Sequence, residues 1–266
     1  RFDTAVRLIS NMLRYNIDNA QVRSEAVGIL IMETIAVRQT GSGGFRYPGG
    51  RLLYNFDIFS APLSADHLDA LNELYSLPSQ QLWGTDIAML GVHEVGDYMS
   101  LADAILGDVN IDEKLLSYDN GEIPQPSLIS WFNTAQLPAL VIKVRHGDPQ
   151  SIEHVLAYYN RLHHFHRTRL ISHLELAANQ PEIQTYIVSE LFSDEHMISG
   201  THTDYIAPIA WYAGRSLMRT YLDYPYPDFL QQEGPPEATM NEEVIYMRQF
   251  ARDNVAGEIL AAAEVE

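Results

Sequence analysis

Residues 148–179 read DPQSIEHVLAYYNRLHHFHRTRLISHLELAAN, and the reading of this stretch decides the fold class. It is the longest run free of Gly and of any Pro beyond Pro149. Asp148 is a good N-cap residue, and Pro149 suits the first helical position, where its missing N–H costs nothing. Asn179 and Pro181 close the run. Ile152, Tyr159, His166 and His173 recur every seven residues, with Val155, Leu162, Leu170, Leu174 and Ala177 beside them, which is helical periodicity. The expectation is one continuous helix over 149–178 with Val155, Leu162 and Leu170 buried.

Working outward, residues 3–16 and 19–38 also read as helices, with Asp3 and Asn19 as caps. Residues 40–50 (TGSGGFRYPGG) are the strongest breaker in the chain. Residues 51–59 alternate weakly, as a short strand or extended arm would. A helix is expected over 64–77, capped by Ser64, with Leu68, Leu71, Leu74 and Tyr75 as its apolar face. Shorter helices follow near 85–92 and 97–106, then a polar, turn-rich stretch over 107–127, and a helical segment at 127–134. Residues 139–144 (ALVIKV) are the best strand candidate.

Beyond the central stretch, 181–192 is a helix with Pro at its first position. Residues 204–222 form another, broken early by Pro208, and 223–238 (DYPYPDFLQQEGPPEA) a Pro-rich arm. The last helix spans about 240–263. The fold class is therefore mainly α: an irregular multi-helix domain with a few short strands and long Pro/Gly-rich connecting arms. It is read as one domain over 1–266, with a subdivision at 1–60 and 61–266.

Composition narrows the function. The chain has no cysteine, which removes disulfides, thiol catalysis and thiolate metal sites. No run reaches the ~18–20 apolar residues of a membrane span. The chain begins at Arg1 with neither a signal-peptide nor a transit-peptide pattern, and it reads as a processed or partial product. A net charge of −18 opposes a broad footprint for nucleic acid or an anionic membrane. Among 17 basic residues only Lys114 and Lys143 are lysine, and tyrosine numbers 15. Interfaces are poor in Lys and rich in Tyr and Arg, so this balance suits a protein that hides surface against partners. An Arg-favouring base composition of the genome would give the same balance.

The chemical motifs are incomplete. His163 and His166 are three apart, and His173 lies seven beyond His166, near one helical stripe that could hold a metal or haem. No Glu-x-x-His, His-Glu-x-x-His or His-x-x-x-His accompanies them, so helix packing is the preferred reading. Asp108, Asn110, Asp112 and Asp119 have the spacing of a calcium loop, but Glu113 occupies the position that requires Gly. A capping segment leading into a short helix is preferred. Gly41, Gly43 and Gly44 lack the third glycine of a dinucleotide fingerprint, since Arg46 stands there, and no strand precedes them. Residues 199–204 (SGTHTD) place Ser, His and Asp too close for a triad and read as a helix-start loop.

The expected function is structural: a self-assembling shell subunit of the kind found in viral capsids, acidic and homo-oligomeric. Copies of itself and other shell proteins would be its partners, nucleic acid would be bound at most nonspecifically, and no membrane or cofactor is expected. Tyr224, Tyr226 and Phe229, on the Pro-stiffened arm, are the expected interface anchors, and removal of 223–236 should leave a folded chain that assembles poorly. The alternative is an all-α metal- or haem-dependent enzyme using the His163/His166/His173 face. A third reading is an adaptor that binds another protein through the aromatic residues of the arm. Location follows function: the virion if the capsid reading holds, the cytoplasm otherwise.

Overall fold

A computed structural model describes residues 20–39, 63–82, 84–107, 109–121, 136–162, 167, 171–194, 196–198, 206–222, 228–231 and 237–263. These are mainly helical. The elements are α1 (Ala20–Gln39), α2 (Ala65–Tyr75), α3 (Gly84–Val92), α4 (Tyr98–Leu106), α5 (Ile111–Asp119), α6 (Gln136–Arg145), α7 (Pro149–Arg161), α8 (Pro181–Phe192), β1 (His196–Ile198), β2 (Ile206–Pro208), α9 (Ile209–Tyr221), α10 (Asp228–Gln231), α11 (Glu237–Asn254) and α12 (Gly257–Ala262).

Contacts divide the chain into two compact units: residues 1–107 with 133–142, and residues 108–132 with 143–266. In the first unit, α1 packs on α2. The approach is close because Gly28 faces the His67 ring; a Cβ there would lie 1.8 Å from His67 Nε2. His67 is itself fixed by the start of α2, where Ser64 Oγ accepts from the His67 N–H and His67 Nδ1 accepts from the Ser64 N–H. Ile31, Ile35, Leu71, Leu74, Ile87, Met89 and Leu90 belong to the buried core of this unit.

The expectation of a few short strands is not borne out. Residues 139–144 lie inside α6, and Ala139, Leu140, Val141, Ile142 and Val144 are all essentially inaccessible. A helix buried on every side loses its amphipathic period, so its sequence looks like a buried strand. The extended pairing among the described residues is a three-residue antiparallel ladder, His196↔Pro208 to Ile198↔Ile206. It brackets the SGTHTD segment, which lies outside the described residues and which the sequence placed before a helix. Pro208 ends the ladder, and α9 begins only after it. The segments 3–16, 40–50, 51–59 and 127–134 also lie outside the described residues.

The central stretch is not one helix. Asp148 caps α7 as expected, accepting from the Ser151 N–H at 2.9 Å, but α7 ends at Arg161 and Leu162 is extended (ψ 136°). Val155 and Leu162 are buried as expected; Leu170 lies outside the described residues. The physical reason is at the C-terminus. Arg161 Nη1 donates back to the Ala157 carbonyl at 2.9 Å, and its guanidinium is held by both Asp119 oxygens, at 2.8 and 2.6 Å. The Arg161 carbonyl, which a continuing helix would satisfy, instead accepts from the Tyr118 hydroxyl at 3.5 Å. The residues that follow, HHFH, are weak helix formers. The final helix is likewise broken: Val255 and the extended Ala256 separate α11 from α12.

Candidate interaction surface

The second unit is built around α9, which packs on both α8 and α11. Ile209, Ala210, Trp211, Ala213, Gly214, Leu217 and Met218 are buried. Gly214 permits the closeness; a Cβ there would lie 2.6 Å from Met247 Sδ on α11. Polar pins complete the packing. Trp211 Nε1 donates to Glu243 of α11 at 2.6 Å, and the Arg215 guanidinium lies 4.3 Å from the Trp211 ring centroid.

Arginine has a repeated role in this unit: it meets carbonyls at the ends of helices. Arg248 of α11 donates to the Leu191 and Ser193 carbonyls at 2.9 and 3.0 Å, closing α8. Arg145 donates to the Leu176 carbonyl at 2.8 Å. Arg215 donates to the Phe229 carbonyl at 3.1 Å and to the Leu230 carbonyl, which also accepts from Arg219 at 3.1 Å. Two guanidiniums thus hold the short α10, where exposed carbonyls carry the negative end of the helix dipole. Burial, then the neighbouring Arg219, pushes the Arg215 guanidinium down to about 10, so it stays charged at neutral pH. Glu175 balances the pair; it is buried, accepts from Ser216 Oγ at 2.6 Å and lies 3.4 Å from Arg219 Nη1.

Beside α10 the surface turns aromatic. Phe229 meets Tyr246 edge-on at 5.5 Å, and Tyr221 meets Phe250 edge-on at 6.1 Å. Tyr246 and Phe250 are four residues apart, one turn along the same face of α11. Gln184 Nε2 donates to the Tyr221 hydroxyl at 2.7 Å, which fixes that ring. The rings are oriented from within but not covered: Tyr221 is 37% exposed, Tyr246 55%, and the adjacent Ile245 69%. Exposed large apolar side chains adjacent on one helix are informative in a way that scattered ones are not.

Of the expected anchors, Phe229 stands in this aromatic row, half-buried. Tyr224 and Tyr226 lie outside the described residues, in the segment that joins Tyr221 to α10. Of the expected histidine face, His163 and His166 lie outside the described residues. His173 is partly buried, and desolvation pushes its imidazole down to about 4, so it is neutral at ordinary pH. Among the described residues, no group of three or more metal-binding side chains converges. The calcium-like spacing resolves into a helix start: the Asn110 side chain accepts from the Glu113 N–H at 3.1 Å and begins α5.

Two acids of that segment do other work. Asp112 lies 2.9 Å from His154 Nε2, and Asp119 pairs with Arg161. Both pairs are spaced by seven residues on α5 and on α7, so the two helices are tied side by side and parallel by two polar rungs. Sequence reading missed these rungs and the Arg215/Arg219/Glu175 cluster. The matching seven-residue intervals, and an Arg pair four apart on an amphipathic helix, were the available signals.

No helix among the described residues is long and apolar enough to cross a membrane. No protein-family model, curated protein or solved structure matches the chain.

Proposed function

We propose that this chain is a structural, self-assembling subunit of shell or capsid type, and that copies meet through the aromatic face formed by α9, α10 and α11. The observation that carries the reading is the exposed Tyr246 ring braced against Phe229, one turn of α11 from the Tyr221–Phe250 pair, with Ile245 exposed next to Tyr246 in the sequence. Rings held in place before contact lose little further freedom on docking, and aromatic side chains carry a large share of interface energy. A stable contact buries ~1,200–2,000 Å² in total, and a shell subunit makes several. The Pro-rich segments on either side of α10 are long enough to widen the contact around that core.

Two compositional facts support the same reading. Only two lysines keep the surface hydrated in the way typical of free-standing proteins, and no complete catalytic motif is present in the sequence. The arginine excess counts for less than composition suggested, because Arg145, Arg161, Arg167, Arg215, Arg219 and Arg248 are engaged inside the fold. The test is the double substitution Ile245→Glu with Tyr246→Glu, both at exposed positions. Sedimentation should show assembly lost while the helical circular dichroism signal is kept. Assembly unchanged by the two charges would rule out this face.

A further inference from the structure

The outer side of α11 carries a second pattern beside its aromatic residues. Val244, Met247 and Ala251 face the unit's interior and are buried. On the opposite side Glu242, Ile245, Gln249 and Arg252 are exposed and follow one another at intervals of three, four and three, the spacing of a seam between two helices. The two ends of this stripe carry opposite charges. Neither Glu242 nor Arg252 makes a hydrogen bond or an ion pair among the described residues.

Arg252 is nonetheless held in place. Its guanidinium lies 4.9 Å from the centroid of the Phe192 ring on α8, a ring it shares with Arg248 at 5.6 Å. The two arginines differ in use. Arg248 donates to the Leu191 and Ser193 carbonyls, whereas Arg252 keeps its donors for an acceptor outside the unit. A guanidinium oriented before contact loses little freedom in binding a carboxylate, and its planar fork fits one.

We propose that α11 pairs with α11 of a second copy, antiparallel and about a twofold axis level with Met247, so that Arg252 of each copy meets Glu242 of the other. The pairing rests on the assembly reading and specifies the contact at its centre. Three observations select a second copy as the occupant. First, the stripe is self-complementary: antiparallel pairing level with Met247 sets 242 against 252 and 245 against 249, and the twofold axis matches both charges twice. A parallel pair would set Glu242 against Glu242 and Arg252 against Arg252, so the charges also choose the direction. Second, Gln249 Nε2 donates to Asp253 at 2.9 Å, which leaves its methylenes for Ile245 of the second copy. Third, Tyr246 lies one residue from the level of the axis, so the Tyr246 rings of the two copies, each backed by Phe229, come alongside one another about 3 Å apart along the helix direction. The seam is thus continuous with the aromatic face. Exposed ion pairs add little affinity, so Ile245 and Tyr246 supply affinity while Glu242 and Arg252 fix register and direction.

The test is charge reversal in the full chain, with sedimentation velocity over a concentration series reading assembly and circular dichroism reading the fold. Glu242→Arg sets like charges at both ends of the pair, and so does Arg252→Glu; each alone should weaken assembly at least about tenfold. Glu242→Arg also lowers the negative charge of each copy by two, so general repulsion alone would make it assemble better. Mixing the two single variants restores opposite charges at both ends, and the double variant does so with one kind of chain. Both should assemble about as well as the intact chain. Either single variant assembling like the intact chain, or failure of the mixture or of the double variant to recover, overturns the pairing and leaves the assembly reading standing. An intact chain that stays monomeric overturns both.

Discussion

Truncating Leu230 asks whether the Pro-rich arm is part of the fold. Leu230 is fully buried, although it lies on a helix of four residues between two Pro-rich flanks. Its carbonyl holds Arg215 and Arg219, but its side chain makes none of those bonds, so Leu230→Ala removes packing and leaves the polar pins in place. A buried Leu→Ala change costs ~2–5 kcal/mol, the upper part applying where the surroundings cannot collapse. Anchoring by two guanidiniums limits collapse, so ~3–4 kcal/mol is expected. The assay is urea unfolding followed by tryptophan fluorescence. Trp211 sits against Arg215 and therefore reports on the same unit. The midpoint should fall with an unchanged slope. A loss below about 0.5 kcal/mol, the range of surface substitutions, would refute the reasoning and return 228–231 to a free arm. The same geometry reverses the expectation drawn from sequence for removal of 223–236. That deletion strips two largely buried guanidiniums of their carbonyl acceptors and should destabilise the unit, at about 1–3 kcal/mol for each group left unsatisfied.

Leu162→Ala should cost ~2–5 kcal/mol in the same assay, since Leu162 is buried even though it caps α7 instead of continuing it. Glu175→Ala should cost roughly 3 kcal/mol, at the low end for a broken buried pair because Arg219 keeps some exposure, and Ser216→Ala about 1 kcal/mol. His173 gives an acid signature. Its folded pKa of about 4 lies below the ordinary 6.5. The unfolded chain therefore takes up the proton first, and stability present above pH 6.5 is lost as pH falls toward 4. The loss has a ceiling of roughly 3 kcal/mol, reduced by the exposure the ring retains. His173→Gln should flatten that slope in a pH series of unfolding midpoints. Asp97, Asp119 and Asp148, whose hydrogen bonds lower their pKa values, remain ionised through most of that window and contribute to acid loss mainly below about pH 4.

Helix starts were the most legible part of the fold. Ser64 and Asp148, read as caps from the sequence, each accept from the backbone N–H three residues on; Asp97 and Asn110, not singled out as caps there, do the same. Helix ends were harder to read. α7 stops because Arg161 is drawn to Asp119, forty-two residues away, and no local residue at 161–162 announces it. Residues 139–144 were misread for the opposite reason: burial on every side erased the periodicity on which the reading depends. At the surface, sequence flagged aromatic residues near 221–229 but not their partners. Tyr246 and Phe250 look like ordinary residues of a charged helix until Phe229 of α10 and Tyr221 of α9 are placed against them. The arginine excess was visible, but its use on carbonyls at helix ends depends on tertiary approach.

The central claim is that copies of this chain assemble through the aromatic face of α9–α11, and the most direct measurement is the mass of the intact chain in solution. Size-exclusion chromatography with light scattering at micromolar concentration, with no partner added and at both low and physiological salt, provides it. The account predicts particles of many times the 30.1 kDa chain mass. It predicts more of them at the higher salt, because screening weakens repulsion between copies that each carry a charge of −18. A single species of 30.1 kDa at both salt concentrations would contradict it.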